Sequence, residues 1–228
     1  EVCTDEYNNV WVVIHSGSRG IGNWLAQQHI NVAKALTGSG LEDPDLAWLT
    51  HGTDEFDAYI ADMLWAQDYA FENRKMMADI ALAELFSLIG YGSAADTVNC
   101  HHNFAEQVGS QWVTRKGAIS AHDGELGVIP GSMGTHTYIV VGLGNPLSYY
   151  SSSHGAGRRL SRGQAKKEFT TESLKDWMKG RVWNEGNATA LLDEHPEAYK
   201  DLDLVMEDQK DLVRPLVRLT AVLNFKGM

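Results

Sequence analysis

The sequence predicts an α+β fold: a mixed single domain with central strands and peripheral helices. Three observations predict it. Short runs rich in β-branched residues, VWVVIHSG (10–17), SQWVTRKGAIS (110–120), LGVIP (126–130) and THTYIVVGLG (135–144), lie between glycine-rich turns, which is the pattern of strands. A helical periodicity runs from Asp54 to about Leu88, too long for a strand. No internal repeat, low-complexity tract or linker divides the 228 residues, a length that one large domain or a domain with a helical annex can hold.

In chain order, the apolar run 10–17 ends at a turn and predicts a buried strand. GSRGIGNW opens a helix expected to reach about Leu36, and TGSGLEDPD (37–45) is a loop. Asp54 is placed to cap the next helix, where Phe56, Tyr59, Ile60, Met63 and Leu64 recur at helical spacing. That pattern makes one long helix or two, ended by Gly90 and Gly92. DTVNCHHNF (96–104) reads as a strand, and the three strands named above follow. After the loop SSSHGAGRR, SRGQAKKEF starts a helix. Residues 171–200 read as helical with breaks around Gly186 and Pro196, 201–219 as a charged amphipathic helix, and TAVLNFKG as a closing strand.

Composition narrows the function. At 43% apolar and 21% charged residues the chain can build a core. It holds no apolar run long enough to cross a membrane. The net charge of −11 argues against coating nucleic acid through an overall basic field, so any RNA or DNA contact needs a local patch. Cys3 and Cys100 are the only cysteines; they form no disulfide framework and suit a reducing cytoplasm.

Four glycine- and serine-rich turns, each beside a strand, carry the chemistry. In IHSGSRGIGN (14–23), His15 ends a strand, and the turn before the helix offers free backbone N–H groups and Arg19 to an anion. The glycine spacing differs from the dinucleotide-binding fingerprint. In VNCHHNF (98–104) alternation along a strand would send His101 and His102 to opposite faces, with Cys100 on the face of His102. VTRKGAIS (113–120) is either a solvated turn or a phosphate clamp, and PGSMGTHTY (130–138) is either a hairpin or a close backbone approach to a ligand. The fourth turn, SSSHGAGRRLSR (151–162), puts His154 among small residues and arginines. Together the turns point to a phosphate-rich ligand, with histidines able to hold a metal. His154 is then either a nucleophile, attacking phosphorus in line, or an unreactive phosphate-binding imidazole.

HSGSRG, NCHHNF, TRKGA, PGSMG and SSHGAGR, in this order, resemble the RtcB family of RNA ligases, over nearly the whole chain. The resemblance implies joining of RNA 3′-phosphate or 2′,3′-cyclic phosphate ends to 5′-hydroxyl ends, with GTP and Mn²⁺ as cofactors, in tRNA splicing or RNA repair. It implies that His154 takes GMP covalently, releases pyrophosphate and passes GMP to the RNA. His15 and His102 match metal ligands. His102, Asn103, Pro130, Gly131, Ser132, Met133, Thr137, His154, Gly155, Ala156, Gly157 and Lys226 match nucleotide contacts, Thr137 standing where a serine is usual and Lys226 matching the lysine that reaches guanine. Arg19, Lys116 and Arg158 fall where phosphate or RNA ends are held. An activating protein partner and a cytoplasmic location are compatible with this; a membrane is not implied.

The family's remaining metal ligands lie in DIGCG- and GNHF-type motifs, and neither motif is found here. Residues 1–228 are therefore expected to be the C-terminal portion of an RtcB-like catalytic domain, incomplete on its N-terminal side, impaired in activity and with apolar surface exposed. Met228, after the terminal Lys-Gly, is a small extension at the Lys226 end. The competing readings are a catalytically dead module that binds nucleotide or RNA ends, and a metal-dependent phosphohydrolase, which lacks the aspartates expected of one.

Overall fold

The computed structural model describes residues 1–227, so Met228 lies outside the described residues. The chain begins with a hairpin, β1 (Val2–Thr4) and β2 (Val10–Val12). Asp5 shapes its turn by accepting from the Tyr7 and Asn9 amides and the Trp11 indole. The predicted strand over 10–17 stops at Val12. It is also an edge strand, bonded only to β1, so Val10 is exposed and not buried.

Helix α1 (Arg19–Thr37) follows, and then α2 (Asp54–Ile89), one uninterrupted helix. The cap of α2 is Thr53, whose Oγ1 accepts from Phe56 N at 3.3 Å, and Asp54 is the first helical residue. Asp54, Glu55 and Asp57 in the first turn favour the positive end of the helix dipole. Gly90 ends the helix in the left-handed region at φ 81°, a conformation that costs glycine nothing. The two helices pack along each other, and Trp24, Trp65, Met76 and Ile80 remain exposed on them.

No regular structure forms from residue 91 to 102. The strand expected over 96–104 begins only at Asn103, as β3 (Asn103–Val108), paired with β4 (Gln111–Lys116). The run 110–120 is broken at Gly117, φ 68°, into β4 and β5 (Ala118–Ser120). Then come β6 (Leu126–Pro130) and β7 (His136–Gly142), as predicted, and β8 (Ser151–Ser153), which pairs with β5. Helix α3 (Arg162–Glu168) starts at a reciprocal capping box between Ser161 and Gln164.

The helix expected over 171–200 is much shorter. Only α4 (Thr171–Trp177) is α-helical; β9 (Val182–Trp183) and three single 3₁₀ turns fill the rest. Gly180, at φ 82°, and Pro196 keep regular helix from propagating.

The helix expected over 201–219 is corrected likewise. Helix α5 (Leu202–Asp208) is one short helix, and β10 (Val213–Asn224) is a long strand. The charges of residues 201–211 read as a helix face, but Val213, Leu219 and Ala221 are buried by tertiary pairing that periodicity does not see. Pro215 sits where the register shifts between Pro215 and Val217, so its missing N–H is accommodated at a bulge.

The main sheet runs β2-β1-β10-β7-β6, with β9 parallel to β10. Strand β10 is central, and neighbouring residues of β7 serve opposite faces. Val140 joins Ile119, Ile129, Leu202 and Val213 in one core; Ile139 joins Cys3, Leu219 and Ala221 in another. A third core, Met133, Leu174, Met178, Leu191 and Leu192, anchors α4 beside the turn after β6.

Candidate functional site

Gly117 is where the TRKGA, NCHHNF and SSHGAGR motifs meet. Its N–H donates to the His102 carbonyl and to Asn103 Oδ1, both at 2.9 Å. Its carbonyl accepts from His154 N at 3.2 Å. A Cβ at this position would stand 3.6 Å from His154 Nδ1. The positive φ of 68° favours glycine here, while the imidazole would only touch an added Cβ.

The HSGSRG motif closes on the same place. His15 follows β2, and its Nε2 lies 3.2 Å from His102 Nε2. His154, following β8, lies parallel to His102, with ring centroids 4.5 Å apart. His15 is edge-on to both. The HSGSRG turn is held by α2: Asn73 Nδ2 donates to Ser16 Oγ and the Gly17 carbonyl, and Arg74 Nη1 donates to the Ser16 carbonyl.

All three imidazoles are biased to the neutral form. Burial pushes the His102 pKa down to about 3, helped by the charges of His15, His154, Arg74 and Lys116. Burial also lowers His15, and Lys226 adds to it. Burial lowers His154, with Lys116 adding to it and the Gly117 carbonyl working the other way. Neutral imidazole is the form that binds a metal or attacks phosphorus.

His15 and His102 offer two convergent nitrogens for a metal. Among the described residues no group of three or more His, Cys, Asp or Glu side chains gathers there or elsewhere. The donor set in this chain is thus short of the three protein ligands usual at a catalytic metal. Cys100 does not join His102; it packs against the core that holds Ile119 and Val140. The strand alternation expected of 98–104 does not apply, because that segment is irregular. His101 still points elsewhere, towards Arg74, Phe71 and Phe104.

The nucleotide-motif residues divide into two groups. Asn103 is exposed, accepts from Lys116 Nζ at 3.4 Å and borders the histidines. A Cβ on Gly155 would come 2.9 Å from the Pro130 carbonyl, so the HGAG loop lies directly on the PGSM turn. Gly131 is as tight, with Thr135 Oγ1 and the His136 carbonyl in the space of a Cβ. Gly157 is exposed at φ 72°. Met133, Thr137 and Ala156, by contrast, are buried, Met133 and Ala156 in the hydrophobic cores, and Ser132 N donates inside the turn to Thr135 Oγ1. These positions shape the backbone rather than present side chains.

Lys226 reaches Glu194 Oε2 at 3.7 Å and lies close enough to act on His15. Lys116 is exposed beside His154. Arg19 is the exposed first residue of α1, at φ 58°. Arg158 differs from the phosphate contact expected of it. Its guanidinium donates to the Asp193 carbonyl at 2.6 Å, Glu194 Oε1 at 2.8 Å and Tyr199 Oη at 2.7 Å, and lies over the Tyr199 ring. Arg115 is also spent internally, on Glu106, Ser151 and the Tyr149 carbonyl.

Glu194, Tyr199, Asn73 and Arg74 were not singled out by the sequence. They sit outside the glycine-rich motifs, and Arg74 reads as one more solvated charge on a helix face.

The class is thus a mixed α+β protein whose glycine-rich turns assemble a cluster of neutral histidines. The family model described as "tRNA-splicing ligase RtcB" matches residues 2–227, and the chain belongs to the RtcB family. It is 42% identical to the RNA-splicing ligase RtcB of Escherichia coli K12, over all of this chain and 58% of that protein. It is 33% identical to the RNA-splicing ligase RtcB of Mycobacterium tuberculosis H37Rv, over 96% of this chain and 57% of that protein. The tRNA-splicing ligase RtcB of Nanoarchaeum equitans is 30% identical, over 97% of this chain and 53% of that protein. The chain thus spans little more than half the length of these relatives.

Proposed function

We propose that this chain is the C-terminal portion of an RNA ligase, acting on 3′-phosphate or 2′,3′-cyclic phosphate ends and 5′-hydroxyl ends, with His154 as the group that carries GMP. The observation that supports this best is the setting of His154, a neutral imidazole stacked on His102 in a glycine loop that rests on the PGSM turn. Its Nδ1 faces Gly117, which leaves Nε2 as the open nitrogen. Nε2 attacks the α-phosphorus of GTP in line; the P–N bond forms as the bond to pyrophosphate breaks. Lys116 is placed to favour charge on the phosphoryl oxygens. GMP then passes to the RNA 3′-phosphate, and the 5′-hydroxyl displaces it.

Within this reading Asn103, the Pro130–Met133 turn, Gly155–Gly157 and Lys226 surround the nucleotide. His15 and His102 would hold Mn²⁺, which needs further donors that the described residues do not bring to them, and which would supply Lewis-acid stabilisation of phosphoryl charge. Among the described residues no helix is long and apolar enough to cross a membrane, and both cysteines are free, which suits a cytoplasmic enzyme of tRNA splicing or RNA repair.

The short donor set favours a second reading, in which the chain binds nucleotide or RNA ends without reacting. Intact mass after incubation with GTP and Mn²⁺ separates the two. A gain of one GMP, absent in His154→Ala, establishes the nucleophile. GTP binding with no adduct in either protein supports the binding module. Neither binding nor adduct removes the nucleotide site itself.

A further inference from the structure

Between α1 and α2 lies a cavity of about 400 Å³, in the size range of small-molecule sites. His15 and His102 stand in its wall, and apolar Leu25, Met63 and Ala66 line it as well. Arg74 lines it too. Its Nε donates to Asn99 Oδ1 at 2.6 Å and its Nη1 to the Ser16 carbonyl at 3.2 Å, while its Nη2 lies 3.5 Å from His101 Nδ1. These partners are neutral, and none of the ion pairs among the described residues includes Arg74.

A guanidinium carries five N–H groups. Three of them face the partners above, which leaves two N–H groups for an anion such as a phosphate. Burial works against this charge, and no carboxylate pairs with it. The other polar pair of the cavity is already matched: Asp62 is held by His29 at 2.8 Å. The cleft that holds the histidine cluster thus carries a half-buried guanidinium with no carboxylate partner.

We propose that Arg74 binds a backbone phosphate of the RNA end presented to His154, with the adjoining nucleoside lodged in the cavity between α1 and α2. This rests on the ligase reading above. A local cation is what an RNA contact demands of a chain with net charge −11. The phosphate of a free nucleotide, or inorganic phosphate, shares the chemistry, so the test needs all three ligands.

The test measures binding of a 3′-phosphorylated hexaribonucleotide, GMP and inorganic phosphate to the full chain, by fluorescence anisotropy for the RNA and calorimetry for the others. Arg74→Gln is expected to weaken RNA binding about tenfold and to reduce the salt slope of log K by about 0.7, one single-strand phosphate contact. GMP affinity falls less than RNA affinity, since Arg74 also holds the Ser16 carbonyl, and inorganic phosphate binds to neither protein measurably. Ala26→Phe, at an exposed lining position of α1, narrows the cavity, leaves Arg74 itself in place and is expected to weaken the RNA in the same way; it decides the matter if Arg74→Gln does not fold.

RNA binding and salt slope unchanged in both variants overturn the proposal alone. So does parallel loss of GMP and RNA in Arg74→Gln, since Arg74 would then merely hold the HSGSRG turn. Inorganic phosphate bound as tightly as the RNA would make the site an anion hole with no place for a nucleoside, and would overturn it too. A parent chain that binds no RNA fails the ligase reading, and the proposal with it.

Discussion

The imidazoles of His102 and His154 lie 7° from parallel with their centroids 4.5 Å apart. Two protonated rings cannot be held this way at low cost, so the stack exists as a pair of neutral bases. His102 comes from the irregular segment before β3 and His154 from the loop after β8; Gly117 ties their backbones together. The placement of the two rings therefore depends on a residue with no functional group.

Stability should fall in acid because burial keeps His102 neutral in the fold. The His102 pKa is about 3 in the fold against an ordinary value of 6.5. Below pH 6.5 the unfolded chain takes up a proton that the folded chain refuses, so stability decreases as pH falls through that window and is unaffected above it. The ring is only half-buried, so solvent screening reduces the effect, and the loss by pH 4 is on the order of 1 kcal/mol. Urea denaturation in the presence of a chelator checks it. His102→Phe, which keeps a flat ring, should flatten the profile between pH 6.5 and 4.

Gly117→Ala should damage the site more than its size suggests. The backbone is at φ 68°, and Nδ1 of His154 is in contact with the new methyl. The conformational cost is about 1–2 kcal/mol. The larger effect is expected on GMP adduct formation, read by intact mass, because both histidine backbones hang on this residue. Normal adduct yield in Gly117→Ala would show that the junction does not position His154.

Met133→Ala tests whether the PGSM turn is held from below. Met133 is 1% exposed, in the core that packs α4. Removing its side chain should cost about 2–5 kcal/mol in chemical denaturation. A loss below 1 kcal/mol would mean that the turn stands without that core.

Arg158→Lys removes a fork but keeps the charge. The guanidinium bridges Asp193, Glu194 and Tyr199 just after the HGAG loop. A lysine cannot meet all three, and the loss should be about 1–3 kcal/mol. If Arg158 instead served as a free phosphate contact, Lys would leave stability unchanged and weaken only RNA or nucleotide binding.

Much of the local structure was legible beforehand. The long helix and its Gly90 end followed from periodicity and from a residue that tolerates left-handed backbone. Strands β6 and β7 followed from apolar runs between turns. The reading failed at 201–219, where a charged helical face and a central strand share one stretch, and at 98–102, where alternation was assumed for a segment that is not a strand. Periodicity reports which face a segment would bury; it does not report which neighbour covers it.

By itself the sequence determined the α+β class, the glycine-rich motifs and the candidacy of His15, His102 and His154, because these depend on residue type and short spacing. Only the tertiary structure decided that the three rings meet and are kept neutral. It alone turned Arg158 inward and aimed Arg74 into a cleft without a counter-ion. Those outcomes depend on desolvation and on contacts between residues far apart in the chain, such as Ser16 with Arg74 and His102 with His154.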